Sequence, residues 1–212
     1  SYKEAERINA LAPCYLAELC RKSGALLIHI STDFVFDGFG KTPYKPDSKT
    51  SPLGSYGQTK LDGEKKIQKE LSTALIIRTS WVYSTYGKNF VKTMLRLMEE
   101  RDIVQVVEDQ IGSPTWARGL AKMLWISLSK ENVAGIYHWS DEGVCSWYEF
   151  AKAIAEEALG IGLIKRCAQV EPILSENYET LAPRPAYSVL DCSSTSRDIG
   201  ISPLPWRSQL KS

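Results

Sequence analysis

Tyr56-Gly57-Gln58-Thr59-Lys60 sets a phenol and an ammonium four residues apart. On a helix that spacing puts both side chains on one face, so both can reach one site. A free tyrosine titrates near pH ~10, too high to give and take protons around neutrality. A neighbouring ammonium favours the phenolate, and a tenfold gain in that equilibrium takes about 1.4 kcal/mol. A pKa brought down to roughly 7–8 would put Tyr56 in the range of general acid–base catalysis. Alone the pair is a weak signal, because a tyrosine and a lysine on a helix surface ordinarily serve packing and solubility. The residues upstream sharpen it. The run Leu27-Ile28-His29-Ile30 leads straight into Ser31-Thr32-Asp33. Ligands of open α/β sheets bind beyond the carboxyl ends of the strands, so the Thr32 hydroxyl falls at the crevice, where it can hydrogen-bond a carbonyl.

The elements that must hold these groups alternate along the chain. Ala10 to Lys22 carries apolar residues at helical spacing, and Ser23-Gly24 ends it. Leu26 to Ile30 reads as a strand buried on both faces, as does Ala74 to Arg78. Tyr56 to Leu71 is a helix between them, which makes a parallel βαβ unit. The long loop over 37–55 is of the kind that often carries function. Further on, helices are expected over Asn89–Arg101 and Ala117–Leu128, and strands over Ile103–Val107 and Gly135–Trp139. Ser146-Trp147-Tyr148-Glu149 is a capping box opening a helix to about Leu159. Residues 172–206 read as loops and short pieces. The fold class is therefore α/β, with a parallel sheet wound on both sides.

Composition narrows the function classes. Of 212 residues 43% are hydrophobic, enough for a sizeable core, and 26 basic against 25 acidic residues leave a net charge of +1. A nucleic-acid or membrane-surface binder needs a basic excess or stripe, so neither partner is expected. No run of about 18 apolar residues is present for a transmembrane helix, and the N-terminal residues lack the apolar core of a signal peptide. The five cysteines at 14, 20, 145, 167 and 192 show no CxxC spacing. They read as small buried hydrophobes in a reducing, cytoplasmic setting. His29 and His138 are the only histidines. His29, inside an apolar run, reads as a satisfied core histidine, and a metal site or Ser-His-Asp hydrolase is not expected.

Thr32, Tyr56 and Lys60 together resemble the Ser/Thr-Tyr-Lys triad of the extended short-chain dehydrogenases/reductases. The segments STDFVFDG (31–38), SYGQTKLDGEK (55–65) and RTSWVY (78–83) are similar to the dTDP-4-dehydrorhamnose reductase branch. NFVKTML (89–95), DQIGSPTWA (109–117), GIYHWSDEGVCSWYEFA (135–151) and RPAYSVLD (184–191) continue the likeness in order, over nearly the whole chain. The resemblance implies a partial Rossmann-type sheet plus a smaller mixed α/β substrate-binding part. Residues 1–86 would be the C-terminal part of the NADP-binding domain with the triad. Residues 87–212 would be mainly substrate-binding, with segments returning to the first domain.

The implied reaction is the NADPH-dependent reduction of the C4 ketone of dTDP-4-dehydro-β-L-rhamnose to dTDP-β-L-rhamnose, for rhamnose-containing cell-surface polysaccharide such as lipopolysaccharide. NADH is the alternative cofactor. Tyr56 would be the proton donor. Lys60 would hold the nicotinamide ribose and lower the Tyr56 pKa, and Thr32 would hydrogen-bond the same oxygen. Trp81 stands where the family holds the sugar with an aromatic, and Asp33 matches a substrate-contacting position. Asn89, Gln110, Ser113 and Thr115 are implied as further lining, whereas Trp116, Trp125, Trp139 and Trp147 read as packing aromatics. Some members are magnesium-bridged dimers using a glutamate near the C-terminus. Pro205 to Leu210 contains none, so no metal ligand is assigned and Mg2+ stays open, as does a homodimer. The glycine-rich loop that holds a dinucleotide diphosphate does not occur here. Gly160-Ile161-Gly162 is a partial match behind a helix, the wrong context. The resemblance assigns that loop to a leading segment, without which one of the strands near the triad is expected at a sheet edge. Another nucleotide-sugar reductase or epimerase, and a non-catalytic regulatory or binding subunit, are the rival functions.

Overall fold

The computed structural model describes residues 2–180 and 182–212. Helix α1 (Tyr2–Glu6) runs through a π-turn at Arg7–Leu11 into α2 (Ala12–Ser23). Gly24, with a left-handed φ of 71°, closes α2 by donating its N–H to the Cys20 carbonyl. Next come β1 (Ile28–Thr32), a 3-10 turn at Asp33–Val35, α3 (Ser55–Glu70) and β2 (Leu75–Thr79). After these follow β3 (Val82–Tyr83), α4 (Phe90–Glu100), β4 (Ile103–Val107), β5 (Ile111–Gly112), β6 (Thr115–Trp116) and α5 (Ala117–Ser127). The chain finishes with β7 (Gly135–Trp139), β8 (Cys145–Ser146), α6 (Trp147–Gly160), β9 (Gln169–Ile173), α7 (Ser193–Ile199) and α8 (Trp206–Leu210).

The central sheet is parallel, in the order β1-β2-β7, with Thr32 opposite Thr79 and Thr79 opposite Trp139. Strand β2 is buried along its whole length. Alternation sends its side chains to two cores. Ile76 packs with Ala17 of α2 and Ile67 of α3, whereas Leu75 and Ile77 pack with Leu120 and Met123 of α5 and Ile199 of α7. Helices on both faces make this the expected doubly wound arrangement.

Strand β1 departs from its expected span. It begins at Ile28, leaving Leu26 72% exposed, and only Ser31 and Thr32 are buried within it. The reason is its place: among the described residues it pairs on one side only, with β2. The edge expected for one of the two strands thus falls on β1.

Two glycines of α3 let it lie close on its supports. A Cβ at Gly57 would come within 2.1 Å of the Phe34 carbonyl oxygen, and one at Gly63 within 2.1 Å of that of Asn9.

A separate core joins α4, β4 and α6 around Met94, Met98, Val104, Val106, Phe150 and Ile154. Ser146 and Glu149 close the capping box of α6 reciprocally, with bonds of 3.0 and 2.7 Å. Strand β9 was not foreseen. It pairs in parallel with β4, and Pro172 within it suits an edge, where a missing N–H costs no ladder bond. All five cysteines are free, but only Cys145 is buried, so the reading of all five as buried hydrophobes holds for one. Trp125 is likewise no packing aromatic: it stands 75% exposed on α5.

Candidate active site

The βαβ unit brings Thr32, at the carboxyl end of β1, to the first turns of α3, which carry Tyr56 and Lys60. Thr32 also opens the 3-10 turn. Its hydroxyl accepts from the Phe34 N–H at 3.2 Å and donates to Asp33 Oδ1 at 3.0 Å. The Tyr56 ring meets Phe34 edge-on, with centroids 5.7 Å apart, and remains 51% exposed. Burial of the hydroxyl raises the Tyr56 pKa above its ordinary value. The Thr32 hydroxyl beside it pulls the other way, and the Asp33 charge adds to the rise.

The Lys60 ammonium is engaged with β1. Its ammonium donates to the Ile30 carbonyl at 2.6 Å and lies 3.2 Å from His29 Nε2. Burial lowers the Lys60 pKa, against the opposing charge of Glu64. His29 is correspondingly not a core histidine. It is half-buried, facing the ammonium, and burial together with Lys60 pushes its pKa down to about 4. As a neutral imidazole it accepts from Lys60, which leaves the third N–H of the ammonium free for another acceptor. A half-exposed phenol, that N–H and the Thr32 hydroxyl, once its proton turns from Asp33, form a donor set suited to a substrate carbonyl and a ribose.

The other expected substrate contacts are distributed differently. Asp33 is only 3% exposed, beneath the site instead of lining it, and burial pushes its pKa up to about 6 against hydrogen bonds from Ser188 and Thr32. Asn89 is an N-cap. Its Oδ1 accepts from the Lys92 N–H at 3.2 Å, and its Nδ2 donates to the Ser84 carbonyl at 2.6 Å. Ser113 donates to the Gly143 carbonyl at 2.7 Å, and Thr115 is fully buried against Thr79 at 3.3 Å. Asn89 and Ser113 thus tie down loops, and Thr115 ties β6 to β2.

Gln110 does line a cleft, of about 600 Å3, together with Phe90, Leu97, Arg101, Trp147 and Arg184. Its Nε2 donates to Ser175 Oγ at 2.9 Å. Trp81, with φ of 48°, stacks on Trp147 at 3.6 Å and 11°. Trp147 thus lines the cleft along with Phe90 and Tyr178, whereas Trp81, stacked on it, does not. The signal that could have found Trp147 is its place at the first turn of the capped helix α6. A second cavity of about 260 Å3 lies at Tyr56, lined by Phe34, Phe36, Leu53 and Pro183. The stretch 182–185 touches both spaces: Ala182, Pro183 and Pro185 face Tyr56, and Arg184 faces the cleft.

Among the described residues no cluster of three or more His, Cys, Asp or Glu is placed to hold a metal, and no helix is long and apolar enough to cross a membrane.

Comparison with known proteins decides the family. The family model described as the RmlD substrate binding domain matches residues 1–212. The chain belongs to this family. The dTDP-4-dehydrorhamnose reductase of Aggregatibacter actinomycetemcomitans is 40% identical over 210 residues, covering 96% of this chain and 71% of that protein. The spore coat polysaccharide biosynthesis protein SpsK of Bacillus subtilis is 44% identical over 204 residues, 96% of this chain and 69% of that one. The crystal structure of the Bacillus anthracis dTDP-4-dehydrorhamnose reductase, in complex with NADP, superposes with a TM-score of 0.90. It is 37% identical, and the match covers 99% of this chain and 73% of that one. The resemblance read from the motifs, the Rossmann-type fold class and the assignment to the reductase class of enzymes therefore stand.

Proposed function

We propose that the chain carries the catalytic residues of an NADPH-dependent reductase acting on the C4 ketone of dTDP-4-dehydro-β-L-rhamnose, in the making of rhamnose-containing polysaccharide. The observation that carries this reading is Thr32 at the carboxyl end of β1 and a half-exposed Tyr56 in the first turn of α3, its ring edge-on to Phe34 of the turn that Thr32 opens. When bound, NADPH supplies the hydride. Around neutral pH Tyr56 is a neutral acid, the form a reduction consumes, and it gives its proton to the developing alkoxide. Thr32 hydrogen-bonds the same oxygen and lowers the energy of the charge forming there. Lys60, through its free N–H, would hold the ribose. The larger cleft takes the nucleotide sugar, with Arg101 and Arg184 offering charge to its diphosphate and Trp147 offering a stacking face. In this reading residues 1–86 complete a cofactor domain and 87–212 mainly hold substrate, with β7 returning to the sheet.

The test is oxidation of NADPH in the presence of the dTDP-keto sugar, followed in the full-length protein and its Tyr56→Phe variant. Turnover by the wild type and a loss of roughly 10²-fold or more in the variant are expected. Wild-type turnover in the variant would remove Tyr56 from its role. Product formed without net NADPH consumption would replace reduction by epimerisation.

A further inference from the structure

One fully buried ion pair lies in the molecule's interior among the described residues. Arg78, 2% exposed, and Glu64, 1% exposed, meet through bonds of 3.0, 3.2 and 2.7 Å. A pair of this kind is a poor source of net stability. Desolvating both ions offsets their attraction, and apolar residues of the same volume often do as well or better. What the pair can do that apolar groups cannot is fix direction, because the planar guanidinium bonds along set lines.

Those lines all lead toward the catalytic residues. Glu64 lies on α3, one helical turn beyond Lys60 and two beyond Tyr56, on the same face. The remaining guanidinium arm, Nη1, donates 3.1 Å to the Pro46 carbonyl, in the long loop between β1 and α3. The guanidinium carbon also sits 5.1 Å over the ring of Phe36, which lines the cavity at Tyr56 and follows the turn opened by Thr32. Phe36 in turn stacks on Tyr44 at 4.3 Å and 7°. Arg78 itself sits on β2, the fully buried central strand. One rigid group on the buried central strand therefore touches the helix that carries Tyr56, the turn that Thr32 opens and the loop that joins them.

We propose that Arg78, with Glu64, is a positioning residue that sets the Tyr56 phenol against the Thr32 hydroxyl. This rests on the function proposed above. The two donors must meet one carbonyl oxygen, so a displacement of about 1 Å in either can cost up to ~10²-fold in rate.

The experiment compares Arg78→Lys, the double variant Arg78→Met/Glu64→Leu and Tyr56→Phe in the full-length protein. Lysine keeps the charge beside Glu64 but cannot bridge Glu64 and the Pro46 carbonyl together. The double variant removes both charges and leaves no unpaired ion. Folded Arg78→Lys is expected to lose roughly tenfold or more in kcat, with KM within about threefold and an altered pH–rate profile. The double variant is expected to show the same split at a Tm close to that of the wild type. Wild-type kcat per folded molecule in either variant, or a loss that only tracks the unfolded fraction, would overturn the proposal. Should the double variant fail to fold, Arg78→Lys decides alone. If Tyr56→Phe also keeps wild-type turnover, the catalytic reading has failed. If Tyr56→Phe is inactive while the Arg78 variants are normal, only the positioning role has.

Discussion

The site at β1 and α3 and the cleft at α4, β4 and α6 are built from different materials. Near Tyr56, whose ring rests on Phe34, lies a set of short polar contacts: the Thr32 hydroxyl on the Asp33 carboxyl, the Lys60 ammonium on the Ile30 carbonyl, and the Arg78–Glu64 pair. Around Trp147 they are aromatic faces, with Trp81, Phe90 and Phe150 in contact or close by. The difference teaches where each region keeps its function. Polar groups with fixed partners place charge and protons to within a fraction of an ångström, so their loss should appear in turnover. An aromatic cluster supplies area and packing, so its loss should appear in stability and binding.

The sharpest break of that contrast is Phe150→Ala. Phe150 is fully buried, between Tyr83 and Trp206, and its truncation leaves a cavity in the core under the cleft. A destabilisation of about 3–5 kcal/mol is expected, read by chemical denaturation. Tyr56→Phe, on the exposed polar side, should by contrast leave the denaturation midpoint nearly unchanged. A Phe150 variant of normal stability would mean that the aromatic side is not the structural one.

Asp141 tests whether a polar group on the aromatic side carries stability too. It is 2% exposed, its Oδ2 accepts from the Trp116 N–H at 2.9 Å, and burial pushes its pKa up to about 7. A folded pKa above the ordinary value of 3.8 means that the fold prefers the protonated form. The stabilisation is complete below pH ~4, falls as pH rises, and is gone above pH ~7. Asp141→Asn mimics the protonated form. It should be as stable as the wild type in acid and more stable by on the order of 4 kcal/mol in alkali. Parallel melting curves for the two proteins across that range would show that the charge is tolerated.

A smaller effect is expected of Trp147→Ala, measured by steady-state kinetics. KM for the nucleotide sugar should rise about tenfold with kcat changed far less, since the indole offers area and no proton. A fall confined to kcat would move Trp147 to the catalytic side of the comparison. The smallest effect belongs to Asn89→Ala, which removes the cap of α4. It should cost about 1 kcal/mol of stability and leave KM unchanged. A raised KM at unchanged stability would restore Asn89 as a substrate contact.

Most of the elements were legible because their signals are local. The capping box at Ser146, the helical periodicity over 89–101 and the apolar run at 74–78 need only neighbours along the chain. Strand β9 escaped because an edge strand with a proline has no local pattern and exists through its pairing with β4. Of the candidate site, the order and spacing of Thr32, Tyr56 and Lys60 were readable, since a strand end and a helix start fix where such side chains emerge. Their partners were not. Whether Lys60 leans on Tyr56 or on His29 and the Ile30 carbonyl depends on how α3 lies against β1.

By itself, then, the sequence determined the βαβ unit, the groups it presents and the family to which they belong, because each follows from short-range periodicity and motif. Tertiary structure alone decided that Asp33 is buried, that Asn89 caps a helix and that Trp147, backed by Trp81, faces the cleft. It also decided that Arg78 finds Glu64. The physical reason is common to all four. Whether a polar or aromatic side chain serves ligand or scaffold depends on which partners satisfy it, and those partners arrive from distant parts of the chain only when the layers close.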